Sequence, residues 1–225
     1  MKIFLDTADC QSIQKHYASG LIDGVTTNPT LIMKSHRSPD DVYQELKTMG
    51  LRDISMEVVA ESVVDTLREA HRLYDLFGDV TTIKLPCTPD GLMACRQLAN
   101  ENIRVNVTLV FSQVQAILAA KAGAAYVSPF VGRVDDNSFG GLCLVKDIAK
   151  VFREHMVRTE VLAASIRGVR DVGRAFEYGA DVVTVPVGVF EKCYKHILTD
   201  KGLELFDNDW KSVQALTNEN SSLVQ

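Results

Sequence analysis

The chain has 225 residues, of which 46% are hydrophobic, so it can bury one substantial core but is short for two domains. Its net charge of −5, with basic residues scattered along the chain, argues against a surface for nucleic acid or anionic membrane. Asp6 interrupts the apolar start, and no apolar run approaches the ~20 residues that span a bilayer, so we expect neither a signal peptide nor a membrane helix.

Short apolar strands alternate with helical patterns along the whole chain. The strands are predicted at residues 2–5, 24–27, 54–59, 82–85, 105–110, 125–129, 161–164 and 182–185. The helices are predicted at residues 9–19, 38–49, 62–77, 89–99, 112–122, 141–155, 169–178 and 189–198. An additional helix is predicted over 202–217, and the polar tail 218–225 is expected to fray.

Eight strand–helix units of this length predict an α/β fold: a single (β/α)8 TIM barrel domain over residues 1–225, with the extra helix at its C-terminus. Strands that are apolar throughout are typical of a parallel sheet covered on both faces. A doubly wound open sheet is the alternative, but that fold usually carries a glycine-rich loop after its first strand. Here the first strand is followed by residues 6–9 (DTAD), which contain no glycine.

Five cysteines occur, an odd number, and no two of them form a C-x-x-C pair. We therefore expect reduced thiols in a cytoplasmic protein, with neither disulfide bonds nor a zinc site. The cysteines are Cys10, Cys87, Cys95, Cys143 and Cys193.

Lys84 lies between Ile83 and Leu85 in the fourth predicted strand. Burying a lysine ammonium is costly unless a partner neutralises it, and in an apolar pocket the free amine can attack a carbonyl. Lys84 could instead reach outward to solvent or simply pair with a carboxylate. The residues at the other strand ends help to choose between these interpretations.

The active site of a (β/α)8 barrel lies at the carboxyl ends of its strands, and seven of the eight predicted strands carry polar side chains there. Polar groups inside a barrel must be paired, so their accumulation at one end predicts a polar pocket. The eighth strand is expected to contribute almost nothing. The candidate residues are Asp6, Thr26, Thr27, Asn28, Glu57, Lys84, Asn106, Thr108, Ser128, Phe130, Arg133, Ser165 and Arg167.

Each candidate also has a purely structural interpretation. Asn28 before Pro29 is typical of a turn, and Asp6 could cap the helix that follows it. Glu57 could do no more than neutralise Lys84. The strand hydroxyls could be satisfied core groups, and the two loop arginines could be solvated. None of the five histidines falls at a predicted strand end, so we expect no catalytic histidine.

Several segments of the chain resemble the transaldolase family. Residues 26–30 (TTNPT) match its T-T-N-P-[ST] signature, and residues 83–86 (IKLP) resemble its Schiff-base lysine strand. Residues 106–112 (NVTLVFS) are similar to its N-x-T-L-x-F-S segment, and residues 128–133 (SPFVGR) and 164–167 (ASIR) to its remaining segments. The resemblance covers nearly the whole chain, and the short length is that of the subfamily that includes the fructose-6-phosphate aldolases.

The resemblance implies a role for each candidate residue. Lys84 would form an imine with a ketose, and Asp6 would act as acid and base on the substrate hydroxyl. Glu57 and Thr108 would hold a water that relays protons. The implied substrate-binding residues are Asn28, Asn106 and Ser128 for the three-carbon fragment, Arg133, Ser165 and Arg167 for the phosphate, and Thr26 and Phe130 beside them.

The activity that the resemblance implies is that of a transaldolase in the pentose phosphate pathway. Such an enzyme moves a dihydroxyacetone unit from sedoheptulose 7-phosphate or fructose 6-phosphate to glyceraldehyde 3-phosphate or erythrose 4-phosphate. A fructose-6-phosphate aldolase, which releases free dihydroxyacetone, is the alternative, but aldolases of this subfamily carry Gln and Tyr where this chain has Glu57 and Phe130. A third interpretation, a non-catalytic barrel that binds sugar phosphates, would not need a buried lysine.

The same resemblance implies the cofactors and partners. A protonated imine accepts electrons as a metal or pyridoxal would, so no cofactor and no metal are expected. Sugar phosphates are the expected substrates, and small members of the family form rings, so we expect a homo-oligomer, a pentamer or a decamer. The terminal helix, which carries Phe206 and Trp210, is expected to dock on a neighbouring subunit.

Overall fold

Eight parallel strands close into a barrel in chain order in the computed structural model, which describes the backbone of residues 1–222 and the side chains of residues 1–216. This arrangement confirms the predicted (β/α)8 TIM barrel. The strands are β1 (Lys2–Asp6), β2 (Gly24–Thr26), β3 (Ile54–Glu57), β4 (Thr81–Pro86), β5 (Arg104–Val110), β6 (Tyr126–Pro129), β7 (Glu160–Ala163) and β8 (Val182–Val185).

Helices follow the strands throughout the described residues, and a short 3₁₀ turn at Gly78–Val80 precedes β4. None of these helices is long and apolar enough to cross a bilayer. They are α1 (Cys10–Tyr17), α2 (Pro29–Ser35), α3 (Pro39–Thr48), α4 (Val63–Phe77), α5 (Pro89–Asn100), α6 (Gln113–Lys121), α7 (Val131–Asp136), α8 (Gly141–Glu154), α9 (Val169–Glu177), α10 (Val187–Lys192) and α11 (Ile197–Ser222).

The chain divides into two units after Val189. The first unit contains the complete barrel, and the second unit, which begins at Phe190, contains the long helix α11. The prediction of one helix over 189–198 is wrong, because α10 ends at Lys192 and α11 begins at Ile197. Helix α11 also runs through 218–222, which were predicted to fray, and residues 223–225 lie outside the described part of the chain.

Side-chain caps fix where many of the helices begin. The hydroxyl oxygens of Ser38, Ser62, Thr88 and Ser112 each accept a hydrogen bond from a backbone N–H in the first turn that follows. Asn28 does the same for α2, where its side-chain oxygen accepts the Leu31 N–H at 3.0 Å. The turn expected at Asn28-Pro29 is therefore the start of a helix, with proline at its first position.

A buried carboxylate lies at the amino end of the barrel. Asp53 lies just before β3 and is 6% exposed. It accepts hydrogen bonds from the hydroxyls of Thr82 and Tyr126, each at 2.8 Å. Arg104 adds a charged donor at 2.7 Å, so Asp53 is paired with three donors. Burial raises the pKa of Asp53, although Arg104 opposes the change.

Strand register sets the layout of the opposite, carboxyl end. Glu57 in β3 is level with Lys84 in β4, and Lys84 is level with Asn106 in β5. Asp6 in β1 is level with Thr26 in β2. Parallel strands in register therefore bring these five polar residues to one end of the barrel, although they are separated by up to a hundred positions in the sequence.

Candidate active site

A polar cavity of about 480 Å³ opens at the carboxyl ends of the strands. Ten of the thirteen candidate residues line it, whereas Thr27, Glu57 and Arg167 do not. The lining residues are Asp6, Thr26, Asn28, Lys84, Asn106, Thr108, Ser128, Phe130, Arg133, Leu162, Ala164, Ser165 and Thr184.

Lys84 is buried, with 6% of its surface exposed, and it does not reach outward to bulk solvent. Its Nζ donates to Glu57 Oε2 at 2.9 Å and to the Thr27 backbone oxygen at 2.9 Å. These two bonds hold the amine at a fixed point, and the same amine borders the cavity. The carboxylate of Glu57 neutralises the buried charge and lies close enough to accept a proton from the amine.

Asp6, at the end of β1, borders the same cavity as Lys84 and does not cap α1, whose cap is Asp9. Loss of solvent raises the pKa of Asp6, and this effect outweighs the hydrogen bond from Thr26 and the positive charge of Lys84, which lower it. Thr26 Oγ1 donates to Asp6 Oδ1 at 2.9 Å. A carboxyl group whose pKa is raised by burial can take up and return a proton.

Hydrogen bonds fix the side-chain amide of Asn106. Its Nδ2 donates to Ser55 Oγ at 3.2 Å, and its Oδ1 accepts from Ser128 Oγ at 2.6 Å. Asn106 and Ser55 are fully buried, so the amide cannot rotate without breaking both bonds. One N–H of Asn106 remains available to a molecule in the cavity, and Ser128 serves partly to orient it.

Thr108 carries an unusual hydroxyl. Its Oγ1 is buried and has no hydrogen-bond partner within the described residues. Buried hydroxyls in proteins are nearly always paired with protein or with ordered water. Because Thr108 borders the cavity, its hydroxyl is available to a ligand or a water there.

The two arginines that the sequence assigns to a phosphate occupy different environments. Arg133 borders the cavity, and its guanidinium lies 4.8 Å from the ring centroid of Phe130. Arg167 is outside the lining and more than half exposed, where it forms a two-pronged ion pair with Asp136. Ser165, two residues before it, does border the cavity.

Gly132 permits the close approach of the α7 backbone to the Ser165 loop. Its N–H donates to the Ser165 oxygen at 3.0 Å. A Cβ at Gly132 would lie 2.4 Å from that oxygen and 2.6 Å from Arg167 Nε. Only glycine therefore fits at this contact, which sets Arg133 and Ser165 on the same rim of the cavity.

Thr184 is a polar lining residue that the sequence analysis did not predict, and the other two unpredicted lining residues, Leu162 and Ala164, are apolar. We expected almost nothing from the eighth strand, but Thr184 borders the cavity and its Oγ1 lies 2.6 Å from Thr26 Oγ1. The signal was present, because Thr184 is the only polar residue in the segment 182–185, as Lys84 is the only charged one in its strand. Among the described residues, no group of three or more His, Cys, Asp or Glu side chains is placed to hold a metal ion.

Comparison with known proteins gives the same family as the sequence motifs. The family model described as Transaldolase/Fructose-6-phosphate aldolase matches residues 3–222. A probable transaldolase of Nitrosopumilus maritimus is 49% identical over 216 residues, which is 96% of this chain and 97% of that protein. Probable transaldolases of Anaeromyxobacter sp. (strain K) and Caulobacter vibrioides are 50% and 49% identical, with at least 94% of this chain and 97% of each relative covered.

Replacing Asp6 with asparagine tests whether the buried carboxylate destabilises the folded protein. Because the pKa of Asp6 is raised in the folded protein, its ionisation opposes folding. Asp6 thus contributes stability below its unfolded pKa, and this contribution is lost as pH rises through its folded pKa. We expect Asp6→Asn to raise the unfolding midpoint at pH 7, with a smaller difference near pH 4. Scanning calorimetry at both pH values measures the change, and a variant that melts below the wild type at pH 7 would contradict it.

Proposed function

The chain belongs to the transaldolase/fructose-6-phosphate aldolase family, an enzyme family, and we propose that it acts as a transaldolase. It moves a dihydroxyacetone unit from a ketose phosphate, sedoheptulose 7-phosphate or fructose 6-phosphate, to an aldose phosphate, glyceraldehyde 3-phosphate or erythrose 4-phosphate. The observation that carries this proposal is the buried amine of Lys84, which borders a polar cavity and contacts Glu57 at 2.9 Å.

Lys84 supplies the electron sink. Its amine condenses with the C2 carbonyl of the ketose, water leaves, and a protonated imine results. When the C3–C4 bond breaks, its electron pair flows into the imine and gives an enamine, so no free carbanion forms. The aldose departs, the three-carbon unit stays on Lys84, and a second aldose adds to the enamine by the reverse step.

Asp6 handles the proton of the C4 hydroxyl. That proton must leave as the C4 carbonyl forms, and it must return when the acceptor aldehyde becomes a hydroxyl. Asp6 is the carboxyl group that borders the cavity, and its pKa is raised by burial, which suits a group that both accepts and donates.

Glu57 and Thr108 serve imine formation and hydrolysis. Forming the imine requires proton transfers to and from nitrogen and the departing oxygen. Glu57 touches the Lys84 amine, and the unpartnered Thr108 hydroxyl is buried beside the cavity. A water held between these two groups would relay the protons, since a buried hydroxyl of this kind needs a partner.

The three-carbon unit is held by amides and a hydroxyl. Asn28 has its oxygen engaged by the Leu31 N–H, so its NH₂ group is left to donate to a sugar hydroxyl. Asn106 is locked by Ser128 and offers one N–H. Donors fixed in this way orient the ketose without a cost in side-chain ordering on binding.

The phosphate is held at the rim by Arg133 and Ser165, with Arg167 completing the site. Guanidinium groups bind a phosphate dianion through paired N–H donors. Arg167 donates to Asp136, and an exposed ion pair of this kind adds little to stability. Binding a doubly charged phosphate can therefore draw Arg167 away from Asp136 at little cost.

Phe130 favours transfer over simple cleavage. Transfer requires that the enamine survive until the acceptor arrives, and protonation followed by hydrolysis would release it. Phe130 places an apolar ring at the cavity, packed edge-on against Phe111 with centroids 5.8 Å apart. A ring without a hydroxyl cannot deliver a proton to the enamine, which is the physical reason to prefer a transferase.

We also propose a cytoplasmic enzyme of the pentose phosphate pathway. The ketose and aldose phosphates named above are the intermediates that such an enzyme would interconvert. Within the described chain, the unpaired thiols of Cys10, Cys87, Cys95 and Cys143 suit a reducing compartment.

Trapping the imine tests the proposed chemistry. Borohydride added with fructose 6-phosphate should reduce the imine and add one reduced dihydroxyacetone unit to Lys84, located by peptide mass mapping. Lys84→Met keeps an apolar side chain of similar length, so the fold should persist by circular dichroism while turnover falls by at least about 10³-fold. An unmodified wild-type chain, or an adduct that persists in Lys84→Met, would contradict the proposal.

Phe130→Tyr tests the preference for transfer. The added phenol can deliver a proton to the enamine, so release of free dihydroxyacetone relative to transfer should rise by about tenfold or more. The control is Phe111→Tyr, which adds the same hydroxyl to the neighbouring ring, outside the cavity lining. Wild-type release of dihydroxyacetone at the rate of transfer would instead favour the aldolase.

We propose a homo-oligomer, a pentamer or a decamer, in which α11 docks on a neighbouring subunit. Supporting this, α11 exposes Leu203, Phe206 and Trp210, each by more than 60%. Sedimentation velocity should give the mass of five or ten chains, and Phe206→Ser with Trp210→Ser should dissociate the assembly. Val64→Ser, an exposed apolar position on α4, is the control that should leave the mass unchanged. A monomeric wild type would refute the assembly.

A further inference from the structure

We propose that Thr184 is a positioning residue that aims the Thr26 hydroxyl at Asp6, and thereby selects the carboxylate oxygen that receives the substrate proton. Thr184 Oγ1 lies 2.6 Å from Thr26 Oγ1, and Thr26 Oγ1 lies 2.9 Å from Asp6 Oδ1. The inference rests on the proposed function, since it assigns a role within the same reaction.

Counting hydrogens fixes the direction of this chain. A threonine hydroxyl has one hydrogen, and an ionised carboxylate can only accept. Thr26 therefore uses its hydrogen on Asp6 Oδ1, and it must accept from Thr184 across the 2.6 Å contact. The hydrogen bonds run from Thr184 to Thr26 to Asp6, and none can be reversed while Asp6 is ionised.

The barrel holds the three residues of this hydrogen-bond chain in place. Thr26 and Thr184 are 2% and 3% exposed, so solvent does not compete for their hydroxyls. They lie on β2 and β8, the two strands that flank β1, and Asp6 at the end of β1 is level with Thr26. The carboxylate is thus held directly by Thr26 on β2 and indirectly, through Thr26, by Thr184 on β8.

This geometry leaves Asp6 Oδ2 to exchange a proton with the substrate. Oδ1 is occupied by Thr26, so the proton of the C4 hydroxyl goes to Oδ2 when the C3–C4 bond breaks and returns from it when the new bond forms. Without Thr184, the Thr26 hydroxyl loses the donor that orients it and can rotate toward other acceptors. Asp6 would then lose the hydrogen bond that stabilises its ionised form.

Other charged residues around the cavity also influence the pKa of Asp6, beside the hydrogen bond from Thr26. Lys84 on β4 lowers the pKa of Asp6 and Glu57 on β3 raises it, while Arg133 borders the same cavity from α7. Replacing Thr184 alters none of these charges. A change in the pH profile of a Thr184 variant therefore reports on the hydroxyl chain.

The test compares Thr184→Val, which keeps the shape but removes the hydroxyl, with Thr184→Ser, which keeps it. For cleavage of fructose 6-phosphate in the presence of erythrose 4-phosphate, Thr184→Val should lower kcat/KM at neutral pH by about three- to tenfold and move the acid limb to higher pH. The limb moves up because a carboxylate without its donor needs a higher pH to ionise. Thr184→Ser should restore the wild-type profile.

Two controls separate this role from a general loss of structure. Borohydride trapping with dihydroxyacetone needs Lys84 but has no C4 hydroxyl, so Thr184→Val should trap it as well as the wild type does. Thr81→Val makes the same substitution at a buried strand threonine whose hydroxyl has no partner among the described residues and which is not in the cavity lining, and it should leave the profile unchanged.

An unshifted acid limb in Thr184→Val, a Thr184→Ser variant as impaired as Thr184→Val, or loss of dihydroxyacetone trapping in Thr184→Val would each overturn the inference. Failure of the proposed function is distinguishable, because it is read from the wild type alone: a wild type that neither transfers nor traps dihydroxyacetone refutes the transaldolase itself.

Discussion

The interaction on which the site depends is the buried contact between Lys84 and Glu57. A charged amine at 6% exposure is tolerated only because a carboxylate lies 2.9 Å away and a backbone oxygen accepts a second hydrogen bond. Those two partners hold the nitrogen at the edge of the cavity. A covalent catalyst needs a nucleophile held in place before the substrate arrives, and the closed barrel provides it through strand register.

Much of this could be predicted from sequence because it depends on local pattern. The apolar strands and the capped helix starts at Ser38, Ser62 and Ser112 follow from residue type and spacing, and they lead directly to the barrel. Polar residues at strand ends then converge because parallel strands share one carboxyl edge. The lone lysine in an apolar strand marked the centre of the site without any three-dimensional information.

The rest depends on contacts between distant segments. Thr184 gains its role only because closing the barrel sets β8 beside β1 and within reach of Thr26, 158 positions away in the sequence. Arg167 is drawn to Asp136 by an ion pair that no spacing reveals. Helix α2 was missed because Asn28-Pro29 is equally typical of a turn and of a capped helix start.

The most direct test of the central claim is a crystal structure of the enzyme with fructose 6-phosphate bound. We expect continuous electron density from Lys84 Nζ to C2 of the sugar, with Asp6 Oδ2 beside the C4 hydroxyl and Thr26 still bonded to Oδ1. A sugar that occupies the cavity without a covalent bond, while the amine keeps its contact with Glu57, would contradict it.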